Sequence, residues 1–516
     1  CIHIIRVKTM KKTLFIKNAA VLTVSGLVLR FAGIIFKVWM AAAIGAEGMG
    51  LYQIVFSVYV LFSTFATSGI NTAVTRLVAD ELALGSKKGV LKILKRCMRF
   101  TFIFAFFSLL ILFFGGNFIA QRILQEPRAL ISIKILAFSL PFMGMSSVLK
   151  GYFIARRKAL PNALSQMFEQ TVRIVTIIIF VSLARNMGIA ALCASVLLGD
   201  TIAEGMSLLF IYINYRFDLK KINSLCGREV PPFKISKAIS RIAMPITAGR
   251  YLNSLLRTAE NILVPKCLAA HTLSGEKALS IFGMIKGMAL PILFFPSTLL
   301  NAVSTLLIPE MSEALARNRR LVVSNTCEMV IKITSLIGIF AGTIFFVCGE
   351  EIGVLIYKDA DVGLLLKWLS PIVPLMYLDS ISDGILKGLD RQKYTFHTAL
   401  FDSSLRIVLI IALLPVFGIK GFIGIMYFSN LLTFLLHIVK LIHISRAHIS
   451  ITKYLVFPLT LSLTVTLCLD TLLRGICKFS DLVYVILLIL LSASIYLFSA
   501  FKWCDIDSSR IKNLIK

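Results

Sequence analysis

The chain has 516 residues, 58% of them hydrophobic and only 16% charged, well below the roughly 25% charge of an ordinary soluble domain. Apolar runs of about 20 residues, long enough to cross some 30 Å of hydrocarbon as a helix, recur from Leu14 to Phe501 and exclude a soluble globular core. The formal net charge of +29 would suit a nucleic-acid partner, but its alternation along the chain assigns it to membrane topology, so no nucleic acid is expected.

In chain order the runs predict helices over 14–43, 49–77, 95–114, 129–155, 161–184, 188–214, 235–268, 277–309, 322–348, 362–388, 394–417, 421–445, 451–473 and 482–501. They are too continuous for a membrane barrel, whose strands show short alternating segments. The expected fold class is an all-α membrane protein of about fourteen transmembrane helices. The stretch before Met10 reads as an upstream extension, with the natural start at Met10. The first run is too long for a signal-peptide core and is expected to stay as a helix. The organisation that follows is a cytoplasmic N-terminal segment (1–13), an N-lobe of helices one to six (14–215) and a cytoplasmic linker (216–234). Then come a C-lobe of helices seven to twelve (235–446), two further helices (447–501) and a cytoplasmic tail (502–516).

Lysine and arginine crowd alternate loops. Lys87, Lys88, Lys92, Lys95 and Arg96 lie in one, Arg156, Arg157 and Lys158 in the next but one, and further groups follow at 216–237, 317–320, 387–393 and 440–453. The intervening loops hold few, such as Arg122 and Arg128, then Arg185, then Lys358. The positive-inside rule then puts both termini in the cytoplasm. The ten cysteines are scattered without a CxxC pair, so neither a disulfide framework nor a zinc site is indicated. There is no GxxxxGK[ST] phosphate loop, no HExxH and no GxSxG elbow. Neither an ATP-driven pump nor an enzyme is expected, and no cofactor or metal.

A shift of 233 residues brings the chain into register with itself. Gly50 meets Gly283, Gly116 meets Gly349, Lys134 meets Lys367, Pro141 meets Pro374, Gly151 meets Gly384, and Arg173, Ile174 and Val175 meet Arg406, Ile407 and Val408. Apolar coincidences are cheap in such a composition, but glycine, proline and charge matches at one offset are not, so the halves are read as a duplication. The offset spans six helices, an even number. Both halves therefore enter the membrane from the same side as parallel repeats, the arrangement that places a solute site near the midplane.

An ionisable residue at helix depth costs at least about 2.5 to 3.5 kcal/mol and needs a partner or a watery cavity. Glu169 and Arg173, four apart on one helix face, recur as Asp402 and Arg406 and are expected to be structural pairs. Arg30, Arg257 and Lys286 have no charged counterpart at the offset, facing Leu263, Val24 and Gln53. Arg30 and Lys37 are seven apart, two turns along one face, and so are Arg250 and Arg257. These two cationic stripes, with Lys286 and Asn301 on a helix bent by Pro291 and Pro296, are the expected lining of a substrate cavity. The alternative is that Arg30 and Arg250 snorkel to an interface or pair with acids such as Glu260. Asp200, Glu204, Asp379 and Asp383 are further acids near helix depth. Asp379 and Asp383 are candidates for ion coupling, and salt bridges to loop lysines explain them equally well.

The stretch GLVLRFAGIIFKVWMAAAIGAEGMGLYQIVFSVYVLFSTFATSGINTAVTRLVADELALG (26–85) and the stretch SIFGMIKGMALPILFFPSTLLNAVSTLLIPEMSEALARN (280–318) resemble the polysaccharide-transporter branch of the multidrug/oligosaccharidyl-lipid/polysaccharide exporter superfamily. The resemblance runs over nearly the whole chain. It implies fourteen helices, two six-helix lobes around a V-shaped cavity, alternating access and lipid-linked cell-wall precursors as substrates, since the branch is similar to lipid II flippases. It also implies that Arg30 and Arg250 stand where the branch has cavity arginines. Arg257 and Lys286 rest on the helix argument alone.

The function so expected is a flippase for an undecaprenyl-pyrophosphate-linked saccharide, a peptidoglycan precursor, with sporulation as the context the resemblance implies. Guanidinium groups offset the desolvation of a diphosphate through charge-assisted, often bidentate hydrogen bonds. Membrane lipids are its surroundings, and cell-wall synthesis enzymes are candidate partners. Two alternatives stand beside it: an ion-coupled exporter of amphipathic cations, whose cavity should be acidic and aromatic, and a non-transporting scaffold for wall synthesis.

Overall fold

The computed structural model describes residues 2–67, 69–220, 232–447, 450, 452–476 and 480–503, and their side chains from residue 25 onward except at 232–234, 299, 301–306, 308–310, 476 and 500–503. Among these residues every regular element is helical and there is no strand. A helix satisfies its own backbone hydrogen bonds, which hydrocarbon cannot do for it.

The chain divides into two compact units, the first ending at Lys266. The first unit contains α1 (Ile2–Thr67), α2 (Ile70–Ala83), α3 (Lys87–Phe118), α4 (Ala129–Ala137), α5 (Ser139–Ala155), α6 (Ala159–Leu183), α7 (Ile189–Lys220) and most of α8 (Pro232–Thr272). In the second are α9 (Gly275–Phe282), α10 (Leu290–Phe294), α11 (Ser297–Ala316), α12 (Arg320–Tyr357), α13 (Ala360–Leu369), α14 (Val373–Gly388), α15 (Gln392–Ser445), α16 (Phe457–Ile476) and α17 (Asp481–Trp503).

Among the described residues, eleven helical stretches are long and apolar enough to cross a membrane, where fourteen helices were expected. Two expected helices run together in α1 and two in α15, each across one glycine with non-helical backbone, Gly45 (φ 73°, ψ 175°) and Gly418 (φ 55°, ψ −133°). The basic helix α8, with Lys237, Arg241, Arg250 and Arg257, is not among the eleven. The expected N-terminal segment 1–13 is helical from Ile2, and 504–516 of the expected tail lie outside the described residues.

The backbone carries the duplication at the same offset of 233. Left-handed residues end helices in matched pairs: Gly85 (φ 69°) with Asn318 (φ 54°), Gln125 (φ 56°) with Lys358 (φ 56°), and Arg157 (φ 56°) with Asp390 (φ 59°). This is the left-handed helix stop, which satisfies the last carbonyls. The fourth helix of each half is also broken at one repeat position, at Phe138 between α4 and α5, and at the 3₁₀ turn Ser370–Ile372 between α13 and α14.

The division into units falls late in α8, whereas the expected lobe boundary lies in 216–234, of which 221–231 are outside the described residues. Contacts bind α8 to the first unit. Thr258 Oγ1 donates to the carbonyl of Ser57 at 3.0 Å, Phe65 and Tyr251 meet edge to face with centroids 5.8 Å apart, and Gly69 (φ 75°) lies so near Ala243 that a Cβ would fall 2.5 Å from its carbonyl oxygen.

In the second unit α12 and α13 approach through glycine. A Cβ on Gly353 would lie 2.3 Å from Gly363 Cα, and one on Gly363 would lie 2.7 Å from Glu350 Cα. Small residues allow this approach, and crowding them costs about 1 to 3 kcal/mol. Gly353→Ala and Gly363→Ala are each expected to lower the thermal midpoint of the purified protein by several degrees. Gly424→Ala, where the space is open, is the control and should leave the midpoint in place; equal midpoints for all three would refute the close-packing account.

Candidate functional site

The hairpin of α6 and α7 places the largest group of buried charges. Arg173 of α6 lies one turn after Glu169 and is paired with it, Nη2 to Oε1 at 3.0 Å. Its Nε lies 2.8 Å from Asp200 Oδ1 and its Nη2 3.9 Å from Glu204 Oε1, both on α7. Its Nη1 donates to Gln170 Oε1 at 3.0 Å. Lys150 of α5 reaches Glu169 Oε2 at 3.4 Å, which also accepts from Ser207 Oγ at 2.9 Å. The Asp200 side chain is 11% exposed and Glu204 13%. Such groups remain ionised at membrane depth only when paired and hydrogen-bonded, and here each acid touches Arg173.

Two cavities open on this knot, sharing Met143, Gln170, Arg173 and Glu204. One, of about 350 Å³, is lined on its other sides by Phe36, Tyr52, Phe56, Tyr59, Lys37 and Asp200, among others. The second, of about 370 Å³, reaches Leu29, Thr67, Asn71, Ser147, Lys150 and Gln166. Both lie within the first unit, and their charge is mixed rather than basic.

The expected substrate residues are placed as follows. Arg30 on α1 and Arg250 and Arg257 on α8 are exposed and line neither cavity; Lys37, two turns beyond Arg30, lines the first. α8 runs for 41 residues, about 60 Å at 1.5 Å per residue. Arg250 and Arg257 stand in its middle third, and Arg30 stands about 22 Å along α1 from the bend at Gly45. Lys286 lies in the second unit on the π-helical turn Gly283–Ala289 and is partly buried. Asn301 lies on α11, its side chain outside those described.

The second unit holds a smaller version of the knot. Arg406 Nη1 lies 4.0 Å from Asp402 Oδ2, and Asp402 accepts from Ser429. At the offset Lys150 becomes Asp383, Asp200 becomes Thr433 and Glu204 becomes His437. Asp379 is bonded to His437 Nδ1 at 2.7 Å, and Asp383 pairs with Lys387. The two acids proposed for ion coupling are thus both engaged with basic side chains. The knot around Arg173 gathers Asp200 and Glu204, which the sequence reading left outside the structural pair. The signal was available in the hairpin: residues 173 and 200, and 169 and 204, are equidistant from its turn.

Multi-pass helices, a duplicated backbone and charges buried at membrane depth define an integral membrane protein of transporter-like architecture. Residues 15–315 match the family model described as "Polysaccharide biosynthesis protein", and the chain belongs to that family. It is 26% identical over 452 residues to Stage V sporulation protein B of Bacillus subtilis (strain 168), covering 86% of this chain and 87% of that protein. Over 444 residues it is 21% identical to Lipid II flippase MurJ of the same organism, covering 79% and 78%. Among solved structures, that of Lipid II flippase MurJ in an inward closed conformation superposes with a TM-score of 0.69 at 14% identity, over 96% of this chain and 99% of that one. An inward-facing multidrug resistance MATE family transporter of the MOP superfamily superposes with a TM-score of 0.64 at 13% identity, over 83% and 100%. The fold is the one these transporters share.

Removing one partner of a buried ionic group costs about 3 to 5 kcal/mol, because the others are left uncompensated. Arg173→Ala strands three carboxylates and should sharply reduce the yield of folded, monodisperse protein, while Arg173→Lys restores part of it. Arg250→Ala, at an exposed site, should express normally. The three yields are compared by size exclusion in detergent, and undiminished folded Arg173→Ala would contradict the knot's structural role.

Proposed function

We propose that this protein is a transporter rather than an enzyme, a flippase that carries an undecaprenyl-pyrophosphate-linked saccharide of cell-wall synthesis, a peptidoglycan precursor, across the bacterial plasma membrane. The observation that supports the reading is the exposure of Arg30, Arg250 and Arg257 on two long helices of the first unit, α1 and α8. A guanidinium facing acyl chains costs at least about 2.5 to 3.5 kcal/mol, so we read these three side chains as facing water. A diphosphate desolvated on entering the membrane recovers its lost hydration there through bidentate, charge-assisted bonds.

In this mechanism the diphosphate is drawn to the arginines, the polyprenyl tail stays in lipid, and the face is exposed first to one side of the membrane and then to the other. The names of two relatives, Stage V sporulation protein B and Lipid II flippase MurJ, support a cell-wall substrate and a role in spore formation. The alternation of basic and poorly charged loops supports cytoplasmic termini. Lys286 and Asn301, in the second unit, are proposed as further substrate-binding residues, and wall-synthesis enzymes are the expected protein partners.

One observation favours a second reading, export of amphipathic cations: the first cavity combines four aromatic rings with Asp200 and Glu204. Arg173 already engages both acids, and Lys37 lines the same cavity, so the lining is not the acidic one such a substrate needs.

Proteoliposomes holding only this protein and a labelled undecaprenyl-pyrophosphate saccharide test the assignment through the accessibility of the headgroup to an external modifying reagent. Hydrogen bonds to a charged group are worth about 1.5 to 3 kcal/mol. Arg250→Ala should therefore slow headgroup translocation about tenfold or more at unchanged insertion, and Arg257→Ala should do so less strongly. Wild-type rates in both variants would end the pyrophosphate reading, and efflux of a cationic dye without precursor movement would favour the second one.

A further inference from the structure

The second cavity of the first unit has a chemistry that the transport reading does not use. Nine of its eleven lining residues are polar, the exceptions being Leu29 and Met143. Three of them, Asn71, Gln166 and Gln170, carry side-chain amides and two, Thr67 and Ser147, carry hydroxyls, and they come from α1, α2, α5 and α6. The wall formed by Lys150, Glu169, Arg173 and Glu204 adds paired donors and acceptors fixed by their mutual bridges. At about 370 Å³ the cavity lies in the range of small-molecule sites, roughly 300 to 1,000 Å³. It has neither the apolar lining that would take an acyl chain nor the single sign of charge that would take an ion.

Two of its lining residues connect through the chain to the exposed arginines. Leu29 lines the cavity and Arg30 is its chain neighbour, about 3.8 Å along the backbone. On the other flank Thr67 lies two residues beyond Phe65, whose ring packs against Tyr251, the neighbour of Arg250. A diphosphate held by Arg30 and Arg250 therefore presents whatever it carries to the mouth of a pocket of amides, hydroxyls and fixed ion pairs. Many weak donors and acceptors at fixed spacing are what a sugar ring with hydroxyl and acetamido groups requires, and each such bond contributes about 0.5 to 1.5 kcal/mol.

We infer that this cavity, bounded by Asn71, Ser147, Lys150, Gln166 and Glu169, is a saccharide-binding subsite that seats the sugar joined to the diphosphate; the inference rests on the proposed flippase function. The carboxylates of Glu169 and Glu204 accept from sugar hydroxyls, and Lys150 and the amide NH₂ groups of Asn71 and Gln166 donate to ring substituents. The subsite makes the protein selective for a glycosylated carrier over the bare lipid diphosphate, which the arginines alone cannot distinguish. A cavity of this size would otherwise hold about a dozen waters at ~30 Å³ each, and a water-filled vestibule confers no such preference.

The full-length protein in lipid nanodiscs tests this with two probes, undecaprenyl pyrophosphate and undecaprenyl pyrophosphate bearing a disaccharide of N-acetylated amino sugars, with free disaccharide as competitor. Wild type is expected to bind the glycosylated carrier about tenfold more tightly, as two hydrogen bonds would give. Gln166→Ala and the cavity-filling Ser147→Leu should bring the two affinities together while leaving that for the bare carrier unchanged. Arg250→Ala should weaken both equally. Millimolar free disaccharide should compete only with the glycosylated probe, which separates a sugar subsite from a second phosphate contact. Equal wild-type affinities that both fall in Arg250→Ala would overturn the subsite and leave the flippase proposal standing. No binding of either carrier would overturn both.

Discussion

An ionised side chain in hydrocarbon must be met by an opposite charge, by fixed dipoles or by water, and the interior of the first unit is arranged around that constraint at Arg173. One guanidinium bonds Glu169 and Gln170 on its own helix and Asp200 and Glu204 on the next, while Lys150 brings α5 to the same point through Glu169. Three acids and two bases leave the group with one negative charge in excess, and the lining of the adjoining cavity includes Lys37. The knot therefore both ties α5, α6 and α7 together and keeps water beside them, since ionic groups that are only partly neutralised need hydration.

Duplication preserved the scaffold and let the chemistry diverge. The left-handed stops at Gly85, Gln125 and Arg157 recur at Asn318, Lys358 and Asp390, because each ends a helix whose length is set by the bilayer. The charges follow no such rule. Lys150 is replaced by Asp383, Asp200 by Thr433 and Glu204 by His437, and the second unit keeps only the Asp402 and Arg406 pair with a separate bond between Asp379 and His437. A cavity of about 340 Å³ between α12, the 3₁₀ turn Ser370–Ile372, α14 and α16 is lined by Ile339, Phe346, Pro374 and Leu459 among others and is largely apolar. The halves share a fold and differ in what they can hold.

Much of this was legible in the residue order. Apolar runs of bilayer length located the helices, and the offset of 233 located their stops, because glycine, proline and charge matches survive in a composition where apolar matches mean little. The helix count blurred where Gly45 and Gly418 let two helices continue as one, a backbone choice that hydropathy does not record. The division after Lys266 was illegible for another reason: it depends on contacts such as Thr258 with Ser57 and Tyr251 with Phe65, between residues some 200 positions apart. The knot was half legible. The pairing of Glu169 with Arg173 followed from helical spacing, but its extension to Asp200 and Glu204 required folding the α6 and α7 hairpin about its turn. The cationic stripes of Arg30 with Lys37 and of Arg250 with Arg257 were read from helical spacing alone; Arg30, Arg250 and Arg257 are exposed and line neither cavity of the first unit, whose enclosed space belongs to the mixed charges of the knot.

That separation is physically sensible for a binder of anions. Arg173 lies among three carboxylates, and a diphosphate approaching it would meet the field of the acids first. An exposed arginine is open to an approaching ligand in a way that a buried one is not. In the proposed transport reading the fold's charges stand in α5 to α7 and those for the ligand on α1 and α8, so that one unit holds both without either neutralising the other. The polar cavity that borders both groups is where neutral hydrogen-bonding chemistry, rather than charge, decides what is bound.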